Sequence, residues 1–123
     1  MTFSVTTPLQ EAIAEGLGRL EEYLPSFQKT YVEKRDYFYD GLNKLGFEFA
    51  IPKGTYFMMV PIRSKTQKSD VEFAMELVEK RQLAVVPPSA FYLKSTEGSQ
   101  YLRFCFAKKE ETLSAALKNL QGL

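Results

Sequence analysis

Residues 100–113 read QYLRFCFAKKEETL, an apolar, strand-like run with an arginine inside it and a helix start directly behind it. In an extended strand, successive side chains point to opposite faces. Leu102, Phe104 and Phe106 therefore share one apolar face, and Tyr101, Arg103 and Cys105 share the other. The apolar face fixes the register and leaves a permanent charge on the second face. Charged side chains are rarely fully buried without a partner. Arg103 thus lies on a solvated face, pairs with a carboxylate of the protein, or clamps a carboxylate from outside through its fork of donors. Residue pattern alone leaves these readings open.

Working outward, Leu113, Ala116, Leu117 and Leu120 give an apolar stripe at helical spacing after the strand. Before it, SAFYLKSTEGSQ (89–100) is a long connection with little periodicity, and LAVVPP (83–88) reads as a short buried strand ended by prolines. Ser69 and Glu72 form a capping box for a helix carrying Phe73, Ala74, Leu77 and Val78. FEFAIPKGTYFMMVPI (47–62) reads as a hairpin, strand, Pro-Lys-Gly turn and strand. The N-terminal third is helical. Thr7 as N-cap, Pro8 and Gln10 mark one helix start, with Leu9, Ile13, Leu17, Leu20 and Leu24 in helical spacing and Gly16 and Gly18 offering close backbone approach. Pro25 separates it from a second helix with Phe27, Tyr31, Phe38, Leu42 and Leu45 on one face, ending at Gly46. The expected fold is α+β, a small antiparallel or mixed sheet packed against helices, with a long N-terminal helical segment.

Composition narrows the function. The 123 residues suit one main domain, and 45% hydrophobic with 25% charged residues is ordinary globular composition. Sixteen basic against fifteen acidic residues leave a net charge of +1, so no bulk field favours nucleic acid or an anionic membrane. With no histidine, the usual zinc, haem and histidine-base chemistries have no residue to rest on, and the single Cys105 forms no internal disulfide. No signal peptide or membrane span is evident, and the expected location is cytoplasmic.

Few motifs carry chemistry. In PKGTYF, Tyr56 and Phe57 line a pocket or simply pack; in VVPPSAFY, Ser89 and Phe91 edge a cleft or sit in a rigid connection. Cys105 reads as a small buried hydrophobe, and the EKRD run as a solvated helix face.

Taken together, FSVTTPLQEAIAEGL, YVEKRDYFYDGLNKLGFEFAIPKGTYFMMVPI, DVEFAMELVEKRQLAVVPPSAFY and YLRFCFAKKEETLSAALKNL resemble the C-terminal part of class I/II aminotransferases, nearest to the kynurenine, glutamine and methionine branch. The resemblance covers nearly the whole chain and keeps the family's order. It implies the small domain of a fold type I enzyme that uses pyridoxal 5'-phosphate to move an amino group between an amino acid and a 2-oxo acid. It assigns Arg103 to the substrate α-carboxylate, beside which Tyr56, Phe57, Ser89 and Phe91 stay the candidate cleft residues of the residue reading. It further implies a homodimer, residues 1–22 as an interdomain helix normally contacting the large domain, and residues 23–123 as the small domain.

The chain departs from the family pattern in two respects. No position matches the Schiff-base lysine, the aspartate for the pyridine nitrogen, or the tyrosine and asparagine beside the cofactor oxygen. Lys65 in RSKTQ stands at the wrong place in the family order and reads as a surface lysine. Pro88 replaces a glycine usual in the family loop, which implies a stiffer loop. The chain alone is therefore expected to hold no catalytic residue, no metal and no tightly bound cofactor, and to be inactive without the large domain. The alternatives are a stand-alone binding or assembly module that keeps this fold, and an unrelated α+β ligand-binding domain.

Overall fold

The computed structural model describes residues 5–123; residues 1–4 of the expected interdomain segment lie outside the described residues. The elements run α1 (Thr7–Gly18), α2 (Leu20–Lys44), β1 (Phe57–Pro61), α3 (Asp70–Arg81), β2 (Tyr101–Cys105) and α4 (Glu110–Asn119), with two short 3-10 turns, Pro88–Phe91 and Glu97–Gln100, before β2. The α+β class is as expected. β1 and β2 form a two-stranded antiparallel sheet in which Met58 faces Phe104 and Val60 faces Leu102. These four side chains are buried, while Phe57, Met59, Arg103 and Cys105 are only partly so, matching the alternation read from residues 101–106.

The inner face of the sheet meets α2, α3 and α4. Phe104 lies between Phe38 of α2 (ring centroids 6.1 Å) and Phe47 (6.5 Å). Leu42, Leu77, Leu102, Leu113 and Leu120 complete a core in which each is almost wholly removed from water. Full burial of such a side chain contributes about 1.5–3 kcal/mol, more than a typical cap at about 1 kcal/mol, so the core dominates. The α4 stripe packs as expected, with Leu113 and Leu120 buried and Ala116 and Leu117 partly buried.

Two helix ends follow their sequence signals. Gly46 takes a left-handed φ of 82°, its N–H bonds Asn43 O (2.8 Å), and Phe47 N–H bonds Leu42 O (3.1 Å). This is the Schellman arrangement, closed by the buried Leu42 and Phe47. The Ser69 hydroxyl accepts from Glu72 N–H, and the Glu72 carboxylate accepts from Ser69 N–H (2.9 Å), completing the expected box. Lys65 departs from its expectation as a surface lysine. It is half-buried, donates to Leu45 O at 2.6 Å and lies 5.2 Å from the Phe47 ring centroid. It thus satisfies a carbonyl at the C-terminus of α2, where a cation is favoured.

Several local expectations are corrected. The cap of α1 is Thr6, without a side-chain bond, and Gln10 instead donates from Nε2 to Val5 O (2.7 Å). The break between α1 and α2 falls at Arg19, just after Gly16 and Gly18, and Pro25 lies inside α2. Near a helix start a proline removes one backbone bond, and the Ser26 hydroxyl takes up the nearby Tyr23 carbonyl (2.9 Å). No atom comes within 4 Å of where a Cβ on Gly16 or Gly18 would stand, so neither marks a close approach within the described chain.

The hairpin expected at residues 47–62 is absent, since only its second half is a strand. Its first half is tied to α2 by side chains, Tyr39 Oη to Phe49 O (3.0 Å) and Arg35 to Pro52 O (3.2 Å). β1 then begins after Thr55, which holds a φ of 68°. The Thr55 hydroxyl donates to Phe57 O (3.0 Å) and accepts from Phe57 N–H (3.4 Å). LAVVPP likewise forms a single bridge, Val86 to Arg103, instead of a strand.

Glu76 on α3 accepts from Lys68 (2.7 Å) and Lys80 (2.9 Å). These two hydrogen bonds, Lys68 first, lower its carboxyl from an ordinary 4.5 to about 2. A carboxyl whose pKa falls on folding adds stability above its unfolded value, and that stability is lost as pH falls through the folded value. Thermal melts should therefore show Glu76→Gln losing less stability than the wild type on acidification from about pH 5 to pH 2. Parallel curves would contradict this.

Candidate carboxylate site

Backbone parity sets the site. Hydrogen-bonded pairs alternate along an antiparallel ladder, and the bonds Ile62 N–H to Gln100 O (3.0 Å) and Phe106 N–H to Tyr56 O (2.9 Å) set the phase. Arg103, opposite Met59, consequently turns its own N–H and C=O away from β1. They meet Val86, with Arg103 N–H to Val86 O at 2.9 Å and Val86 N–H to Arg103 O at 3.1 Å. This exchange holds the chain leaving α3 beside β2, and the turn Pro88–Phe91 follows immediately. Pro88 is buried at the first position of that turn, where a missing N–H and a preset φ cost little.

The Arg103 side chain projects from the outer face of the sheet and is half-buried. Its guanidinium carbon lies 4.9 Å from the centroid of Phe57 and 5.2 Å from that of Phe91. Phe57 reaches it diagonally across the ladder, a normal separation for long side chains on one face. Phe91 arrives from the 3-10 turn. Among the described residues no carboxylate comes within ion-pair range of Arg103, and the four ion pairs lie elsewhere. Arg103 is therefore neither fully solvated nor internally paired. It is held by two rings, each contact contributing about 0.5–1 kcal/mol, and a ring face engages the cation without supplying a hydrogen-bond acceptor to match a carboxylate. Beside it, Met59, Tyr92, Glu97, Gln100 and Tyr101 line a hollow of about 480 Å³.

The candidate residues divide in space. Phe57 and Phe91 meet Arg103. Ser89 lies two residues before Phe91, and its backbone N–H donates to Asp70 Oδ2 at 2.7 Å. Tyr56 instead lines a groove of about 490 Å³ with Phe27, Tyr31, Arg35, Lys53 and Phe106, although its ring stands nearly perpendicular to Phe57 at 5.6 Å. Cys105, half-buried, faces Phe57 across the ladder. Asp70, 1% exposed, was not singled out by the sequence, since a carboxylate in the first turn of a helix ordinarily faces water. Among the described residues no cluster of three His, Cys, Asp or Glu side chains suits a metal ion, and no helix is long and apolar enough to cross a membrane.

Comparisons with known proteins identify the family and the fold. Residues 1–120 match the family model for aminotransferase class I and II, and the chain belongs to that family. It is 37% identical over its full length to methionine aminotransferase of Escherichia coli, of which it covers 32%. It is 31% identical, over 98% of the chain, to the kynurenine–oxoglutarate transaminase of Dictyostelium discoideum, again covering 32% of that protein. An E. coli structure with methionine aminotransferase function superposes with a TM-score of 0.88 over 99% of this chain and 32% of its own. The N-succinyldiaminopimelate aminotransferase of Mycobacterium tuberculosis gives 0.87 at 28% identity, over 97% of this chain and 31% of its own. The chain thus spans about a third of the length of the relatives it matches.

The donor set bears on the cofactor implied by the family. The rings around Arg103 supply no amine for a Schiff base and no carboxylate for a pyridine nitrogen, and the one buried carboxylate among the described residues, Asp70, is engaged by Ser89. By this donor set, the residues around Arg103 do not match the needs of pyridoxal phosphate.

Phe91 is 64% exposed, so Phe91→Leu should change stability by no more than about 1 kcal/mol, the scale of its contact with Arg103. It should nonetheless reduce the upfield ring-current shift of the Arg103 side-chain protons in NMR spectra, leaving the part due to Phe57. An unchanged Arg103 spectrum would show that this ring does not hold the guanidinium.

Proposed function

We propose that this chain is the small domain of a pyridoxal-phosphate aminotransferase and that Arg103 binds the α-carboxylate shared by its amino-acid and 2-oxo-acid substrates. The observation that carries the reading is a guanidinium flanked by two rings, with no carboxylate of the described protein in range. An arginine fork suits the task because it stays charged and bonds a carboxylate bidentately. Anchoring that group orients the reacting carbon, and orientation can supply a large part of a rate enhancement. The cofactor would come with a large domain, acting as electron sink; the residues of this chain only bind and orient the acid.

The relatives' names, methionine and kynurenine–oxoglutarate aminotransferases, support amino acids with large side chains as donors. The exposed N-terminal helices support a missing partner surface. Every described residue before Tyr31 is exposed, and Leu9, Ile13 and Leu17 are each about 60% exposed in an apolar row. We read residues 1–22 as the interdomain helix, residues 23–123 as the small domain, and the whole enzyme as a homodimer.

Two measurements test this. The chain alone, incubated with pyridoxal phosphate and borohydride, should show no stoichiometric adduct at a single lysine by mass spectrometry. In the whole-length enzyme that the reading implies, Arg103→Ala should raise the KM for the 2-oxo acid about 100-fold, from the loss of a charge-assisted bidentate contact. Arg103→Lys should recover only part of it. A specific adduct would overturn the incompleteness of the site, and an unchanged KM would overturn the role of Arg103.

A further inference from the structure

Asp70 is a buried carboxylate for which the proposed function has so far no use. It stands at the first position of α3, 1% exposed. Helix capping does not require it, because Ser69 and Glu72 already satisfy the first turn reciprocally. Its Oδ2 instead accepts the Ser89 N–H at 2.7 Å, inside the turn Pro88–Phe91. The turn it fixes carries Phe91, whose ring lies 5.2 Å from the Arg103 guanidinium carbon.

A second contact bears on the same turn. Gly98, buried in the 3-10 turn Glu97–Gln100, packs so tightly that a Cβ there would stand 2.9 Å from the backbone N and Cα of Ser89 and 2.8 Å from the Tyr92 ring. Backbone cannot give way as a flexible side chain does, so the turn is tied by the Asp70 bond and packed closely against Gly98. We infer that Asp70 is a positioning residue for the carboxylate site, setting the place of Phe91, and through it of Arg103, by holding the Ser89 backbone against Gly98. This rests on the reading of Arg103 as a carboxylate ligand.

The test uses the labelled 123-residue chain, with two readouts: the Phe91 ring to Arg103 side-chain NOE, and the affinity for 2-oxobutanoate from chemical-shift titration. Asp70→Ala removes the acceptor, Asp70→Asn keeps a neutral one, and Gly98→Ala presses on the turn without touching Asp70. Asp70→Ala and Gly98→Ala are expected to lose the NOE and to weaken the acid about tenfold, the scale of one hydrogen bond. Asp70→Asn should keep the NOE and most of the affinity. An Asp70→Ala chain that retains both would overturn the inference; should that variant fail to fold, a Gly98→Ala chain that retains both would do so. Arg103→Ala separates the two levels. Loss of acid binding in Arg103→Ala with no effect of Asp70→Ala or Gly98→Ala sinks the positioning role alone, whereas unchanged binding in Arg103→Ala sinks the carboxylate reading and the inference with it.

Discussion

The antiparallel pairing of Phe57–Pro61 with Tyr101–Cys105 is the constraint on which the other features depend. Strand side chains repeat with a period of two, so a slip of one residue would carry Leu102 and Phe104 to the solvent side and drive Arg103 into the core. The register that buries Met58, Val60, Leu102 and Phe104 is the same one that lifts Arg103 outward. It also turns the Arg103 backbone toward Val86, which brings the Pro88–Phe91 turn to the sheet. Core, site and loop placement are three readouts of one register.

Much of this was legible from local pattern. The alternation in YLRFCF gave both faces of β2, Ser69 with Glu72 gave the start of α3, and Gly46 gave the end of α2. Each of these is settled within a few residues of chain. The failures are places where distant side chains decided the backbone's fate. FEFAIP looks like a strand, but Tyr39 and Arg35 occupy two of its carbonyls from α2. LAVVPP contributes one bridge because prolines follow at once and cannot donate to a ladder. Pro25 reads as a helix breaker, yet the stronger interruption is the glycine pair before Arg19. As for the site, residue pattern left Arg103 undecided. The family resemblance assigned its role, and only the fold brought Phe57 and Phe91 to it. Asp70 was invisible because its partner is a backbone N–H on another element.

Half-burial also shapes what Arg103 can do. Two unit charges at 4 Å attract by about 1 kcal/mol in water but about 4 kcal/mol near a protein surface of effective dielectric 20. A guanidinium so placed would therefore attract an acid more strongly once a second surface excluded water from it. Aromatic contacts suit such a waiting cation, since they hold it without the competing negative charge that an internal ion pair would bring. The open apolar row of α1 and the open cation on β2 are consistent with one chain that meets another body on more than one side.

The left-handed Thr55 has a consequence at the far edge of the sheet. By the parity of the ladder, Phe57, Met59 and Pro61 direct their backbone groups away from β2, toward an edge with no neighbouring strand among the described residues. An open edge is a template for adding a foreign strand, and proteins that keep one usually blunt it. Here the Thr55 hydroxyl caps both the N–H and the C=O of Phe57, and Pro61 has no N–H to give. One donor, that of Met59, is left on the rim. The backbone conformation held at Thr55 thus reduces what the strand behind the site offers to a foreign edge.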